Sequence, residues 1–114
     1  MASYLYLLNM TGTNLYKIGI SSRPWQRLEQ VAGKDHAVKV VRVWPELASF
    51  EKRLHSLYSH RRVTEALEQL PVSGRTEWFR LTPEDVQAIL AECHCERLQA
   101  QERDRIRQRV RCAE

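Results

Sequence analysis

Tyr4-Leu5-Tyr6-Leu7-Leu8, then Asn9-Met10-Thr11-Gly12-Thr13-Asn14, then Leu15-Tyr16-Lys17-Ile18-Gly19-Ile20 read as strand, turn and returning strand. Successive side chains of a strand point to opposite faces, so Tyr4, Tyr6 and Leu8 share one face and Leu5 and Leu7 the other. On the returning strand Leu15, Lys17 and Gly19 share a face, opposite Tyr16, Ile18 and Ile20. The isoleucine side is expected to be the buried one. A hairpin carrying tyrosines, a lysine and a glycine thus begins the fold.

Working outward, Ser22 is the expected cap of a helix, with Pro24 in its first turn and Gly33 just past its end. Trp25, Leu28 and Ala32 form its apolar stripe, while Arg23 and Arg27 sit at i,i+4 on another face. Val38 to Trp44 is β-branched enough for a third strand, stopped by Pro45. Pro45 is expected to open a second helix, with Leu47, Phe50, Leu54 and Leu57 turned to the core. Its opposite stripe holds Glu51, His55, Tyr58 and Arg62. Residues 64–76 read as a linker, and Glu77-Trp78-Phe79-Arg80-Leu81 as a small strand or a packed segment.

Thr82-Pro83-Glu84-Asp85 starts a last helix with a cap, a first-turn proline and acids near the positive dipole end. Val86, Ile89, Leu90 and Cys93 form its stripe, which thins to Ile106 and Val110. The tail is therefore an exposed helix, a partner-binding helix or disorder. This order predicts an α+β fold: a small, mainly antiparallel three-stranded sheet flanked by helices, with a C-terminal helix. Residues 1–81 are the expected domain, and 82–114 a helical extension that belongs to it or stands exposed.

A chain of 114 residues fits one domain. Its net charge of +4 is compatible with a nucleic-acid partner. Arginine recurs at 97, 103, 105, 107, 109 and 111, against the acids Glu102 and Asp104. That run reads equally as a solvated helical face or as a phosphate-binding surface. No apolar run approaches the roughly 18–20 residues needed to span a bilayer, so no membrane partner is expected. There is also no charged segment leading into an apolar one, and so no visible route to secretion. Cys93, Cys95 and Cys112 are an odd, clustered set that fits a reducing cytoplasm better than a disulfide framework. Cys93-His94-Cys95 is a poor zinc site, because residues two apart on a helix point to nearly opposite faces.

Cleaving a phosphodiester requires charge stabilisation on the phosphate, an activated water and a place for the leaving oxygen's charge. Arginine offers a fork matched to phosphate oxygens, a carboxylate holds a hard divalent ion, and tyrosine or histidine relays a proton. Tyr6, Lys17, Arg27, Glu51 and His55 lie on elements able to converge.

Together these residues resemble the GIY-YIG endonuclease superfamily, in its short phage and bacterial branch. Tyr4-Leu5-Tyr6 stands at the first naming triplet and Lys17-Ile18-Gly19 at the second. Arg27 follows Gly19 at the family's spacing, and Glu51, in Phe50-Glu51-Lys52-Arg53-Leu54-His55, matches its metal-binding glutamate. The short branch shows a Tyr-Lys-Ile-Gly strand, a Glu…Leu-His helix and a later Glu-Trp-Phe, matched by Tyr16 to Gly19, Glu51 to His55 and Glu77 to Phe79. Two departures stand out: Tyr4 replaces the glycine of the first triplet, and Lys17 replaces the tyrosine many active members carry.

The resemblance implies hydrolysis of nucleic-acid phosphodiesters, DNA foremost, with Mg²⁺ or Mn²⁺ on Glu51. Arg27 would stabilise the pentavalent phosphate and Tyr6 would orient or activate water. His55 would shuttle a proton or steady the glutamate, and Lys17 would touch a phosphate. Arg23 and Arg62 join Lys17 as expected nucleic-acid contacts, with Glu77 a weaker candidate to support the site. Two other classes stay open: a nucleic-acid-binding module without chemistry, and a protein-interaction or regulatory domain. In the latter the C-terminal helix pairs with a partner or with a second copy as a homodimer.

Overall fold

A computed structural model of the chain describes residues 3–27, 38–63 and 78–113. The hairpin forms as strands β1 (Tyr4–Met10) and β2 (Leu15–Ser21). Both run past their expected ends because Asn9 is a buried stitch rather than a loop residue. Its Nδ2 donates to the carbonyls of Thr13 and Leu15, each at 3.0 Å, and so holds the turn closed. Gly12 takes a φ of 78°, the left-handed geometry that glycine adopts without steric cost.

A helical turn at 24–27, here α1, follows β2. The hydroxyl that accepts an amide there is Ser21, from Arg23 N–H at 3.0 Å, not the expected Ser22. Trp25 is 62% exposed, so it does not face the core as its apolar character suggested. Leu28, Ala32 and Gly33, like the 64–76 linker and Glu77, lie outside the described residues.

Strand β3 (Val38–Pro45) includes the proline that was expected to open a helix. Glu46 instead turns the chain at φ 66° while its N–H donates to the Ser3 carbonyl at 3.1 Å. A 3₁₀ turn, Ala48–Phe50, then leads into helix α2 (Glu51–Leu57). Leu47, Phe50 and Leu54 are buried as expected, but Leu57 is 46% exposed where the helix ends. Tyr58 packs against the core in its place.

The sheet has four strands in the order β3-β1-β2-β4, all paired antiparallel, rather than three. The fourth, β4 (Trp78–Arg80), pairs with Leu15–Lys17 of β2. It falls within the stretch 77–81 expected to be a small strand or a packed segment. Helix α3 (Pro83–Ala113) begins with the expected reciprocal cap: Asp85 N–H donates to Thr82 Oγ1 at 3.1 Å and Thr82 N–H to Asp85 Oδ2 at 3.0 Å.

Both sheet faces carry buried side chains. One face carries Leu5, Leu7, Ile18, Trp44 and Phe79 against Phe50, Leu54, Val86, Ile89 and Cys93 of the helices. The other gathers Tyr6, Leu8, Met10, Leu15, Val38, Val63 and Trp78. Alternation had assigned burial to the isoleucine face alone. In the structure Lys17 is wholly buried, while Ile20, at the strand's far end, is 45% exposed. No described helix is long and apolar enough to cross a membrane.

Candidate active site

Tyr6 and His55 approach adjacent residues of β2, Gly19 and Ile18. Tyr6 pairs across the sheet with Gly19, and the hydroxyl end of its ring lies against that glycine. A Cβ at position 19 would stand 2.6 Å from the ring carbon bearing the hydroxyl, closer than real atoms approach. The glycine is therefore required by a specific close approach. Lys17, the diagonal neighbour of Tyr6 on the same face, pairs with Trp78 of β4.

From the other side, α2 reaches the same dipeptide. Among the described residues β4 pairs with β2 as far as Lys17, and Ile18 is the next residue along that edge. His55 reaches it there: its Nε2 lies 2.8 Å from the Ile18 carbonyl oxygen. One helical turn earlier, Glu51 Oε1 stands 3.4 Å from the same nitrogen. Both acceptors face Nε2, so a neutral imidazole carries its proton there and leaves Nδ1 unprotonated. The ring also packs edge-on to Phe79, with centroids 5.1 Å apart. Glu51 and His55 keep 17% and 16% of their side-chain surface, so this pair is partly open to solvent.

The expected residues thus divide into groups. Glu51 and His55 are in contact, and Tyr6 meets the strand they anchor on, at the next residue. Arg27 lies half-buried in α1, its N–H donating to the Arg23 carbonyl at 3.0 Å. Arg23 is exposed. Arg62 leaves the helical stripe, because α2 ends at Leu57, and bridges to Phe79 as extended chain. Its guanidinium lies 5.7 Å from the Phe79 ring centre. Lys17 departs most from expectation. It has no exposed surface, and Tyr6, on the same face of the sheet, keeps only 2% of its own.

Trp78 and Phe79 are both fully buried in the core. The Trp-Phe pair sends one ring to each face of the sheet, Trp78 to the lysine face and Phe79 to the histidine face. The alternating faces of a strand dictate that split. Tyr58 is held a neutral phenol, its pKa raised by burial first and then by the carboxylates of Glu92 and Asp85.

Glu51 suits a hard divalent ion of the Mg²⁺ type, which keeps several waters and takes one or two protein carboxylates. Among the described residues no three His, Cys, Asp or Glu side chains gather to hold a metal, so they offer no all-protein cage. The Cys93-His94-Cys95 run is no site either. Cys93 is buried and Cys95 exposed, and burial, helped by Glu92 and Glu96, pushes the Cys93 thiol up to about 12.

Residues 3–94 match the T5orf172 domain. The chain belongs to the T5orf172 domain family. This is a phage-associated family of nuclease-like, GIY-YIG-related context, and the match spans the sheet, α2 and the packed start of α3. No curated protein and no solved structure matches the chain.

Proposed function

We propose that this T5orf172 domain is a divalent-metal-dependent endonuclease of GIY-YIG type, hydrolysing phosphodiester bonds of nucleic acid, DNA in the first instance. What supports the reading most is the approach of Tyr6 and of the Glu51–His55 pair to adjacent residues of β2, Gly19 and Ile18. Glu51 holds Mg²⁺ or Mn²⁺, which when bound neutralises phosphate charge and lowers the pKa of its water. Arg27 presents its fork to the phosphate oxygens. Tyr6 orients the attacking water through its hydroxyl. His55 keeps Glu51 in place and ties α2 to the strand edge. Lys17 acts from beneath, fixing the face on which Tyr6 lies, while Arg23 and Arg62 carry the nucleic acid's backbone.

Nicking of supercoiled plasmid tests this. The wild-type protein converts it to open circle with Mg²⁺ or Mn²⁺ and not with a chelator, and Glu51→Gln abolishes the conversion while remaining folded. Equal nicking by wild type and Glu51→Gln overturns the reading. Burial of Lys17 at the second triplet favours one alternative, a binding module without chemistry. That alternative predicts salt-sensitive DNA binding with no cut strand.

A further inference from the structure

A cavity of about 500 Å³ lies between α1 and the sheet, lined by Tyr4, Ser22, Arg23, Pro24, Trp25, Gln26, Val43 and Pro45. The function proposed above leaves it unassigned. Tyr4 is two residues from Tyr6 on the same face of β1, and Val43 is the β3 residue paired with Tyr6. The cavity therefore opens on the face that carries the Tyr6 phenol. Arg23, on its wall, is one helical turn from Arg27.

We infer that this cavity seats an unpaired nucleobase of the bound strand, next to the phosphate that the domain cuts. The inference rests on the nuclease reading for the position of that phosphate. Its lining supplies what a base and its backbone need. Two aromatic side chains offer flat surfaces for stacking, Gln26 offers a donor and an acceptor for a base edge, and Arg23 offers a cation for the flanking phosphate. Among the described residues that line it, none is acidic. Trp25 keeps 62% of its surface in water, an unusual place for so large an apolar side chain without a ligand. A base paired within a duplex has its faces covered by its neighbours, so the seat selects single-stranded or locally opened nucleic acid.

Intrinsic fluorescence reports on the cavity selectively, because Trp44 and Trp78 are 5% and 0% exposed and Trp25 alone among the three meets solvent. The probes are a 15-nucleotide oligothymidine strand, its duplex with oligodeoxyadenosine, and thymidine monophosphate, each titrated with Ca²⁺ present. We expect the single strand to quench the Trp25 emission and to bind more tightly than the duplex or the mononucleotide. Trp25→Ala should weaken binding of the strand about 5- to 150-fold, the range of one lost stacking contact, and Trp25→Phe should recover most of it. Because Trp25 is exposed, both variants should melt as wild type does, and circular dichroism checks that. Unchanged strand affinity in Trp25→Ala overturns the inference, as does mononucleotide binding equal to the strand's. If Arg27→Ala weakens the strand and Trp25→Ala does not, only the base seat falls. If no nucleic acid binds the wild type, the nuclease reading falls with it.

Discussion

The Nε2 atom of His55 lies 2.8 Å from the carbonyl oxygen of Ile18, 37 residues earlier in the chain. That bond ties α2 to β2 and places Glu51 beside the segment on which Tyr6 rests. Removing the donor leaves a partly buried carbonyl unpaired, at a cost of about 1–3 kcal/mol. His55→Ala should therefore lower stability by that amount in urea unfolding and weaken cleavage as well, since Glu51 loses its neighbour. His55→Gln, which keeps an N–H donor, should recover part of the stability.

Gly19→Ala should be costly for a different reason. The added methyl meets the ring and hydroxyl of the buried Tyr6, which would have to shift. Overpacking of this kind costs about 1–3 kcal/mol. Tyr6→Phe removes only the hydroxyl, so its fold should persist while cleavage falls about 10²-fold or more, the scale of a lost proton-handling group. Thermal melts and nicking rates on the two variants separate packing from chemistry.

Arg27→Lys is expected to lower cleavage nearly as far as Arg27→Ala, because lysine keeps the charge but loses the two-pronged geometry. Single-turnover rates on a nicked-plasmid assay check this, with circular dichroism confirming that both variants fold. Full activity in Arg27→Lys would show that only charge matters there.

The raised pKa of Cys93 sets a pH dependence. In the unfolded chain its thiol ionises near its ordinary value of 9.0, while in the folded protein it stays protonated up to about 12. Its contribution to stability is thus complete below about 9 and is lost as the pH climbs toward 12. Alkylation at pH 8, read peptide by peptide by mass spectrometry, should label Cys95 quickly and Cys93 only after denaturation.

Helix α3 contributes core residues only through Cys93, while all of 101–111 is exposed. Three ion pairs there, Arg103–Glu96, Arg105–Glu102 and Arg107–Asp104, span 3.2–3.8 Å at exposed positions. Such surface pairs are worth little, so ending the chain after residue 100 should leave the melting temperature unchanged. A fall in the salt dependence of DNA binding in that variant would assign the tail's arginines to phosphate contact.

Particular residues show what could be read in advance. Tyr6 and Gly19 on opposed strands, the Thr82–Asp85 cap and the Glu51–His55 pair all follow from local periodicity, because spacing alone decides which side chains are neighbours. The His55–Ile18 bond does not, since a backbone carbonyl carries no sequence signal. Burial of Lys17 was equally illegible: alternation marks which side chains share a face, but not whether a second layer covers that face. Trp25 misled because apolar character was taken for burial, whereas it borders an open cavity.

Everything proposed for chemistry turns on Glu51 as the metal's protein ligand. A crystal soaked in Mn²⁺, with anomalous diffraction recorded at the manganese edge, tests this directly. A peak is expected within coordination distance of the Glu51 carboxylate, near His55 and the Ile18 carbonyl. A fully occupied manganese bound elsewhere, with the Glu51 carboxylate free of it, would contradict the account.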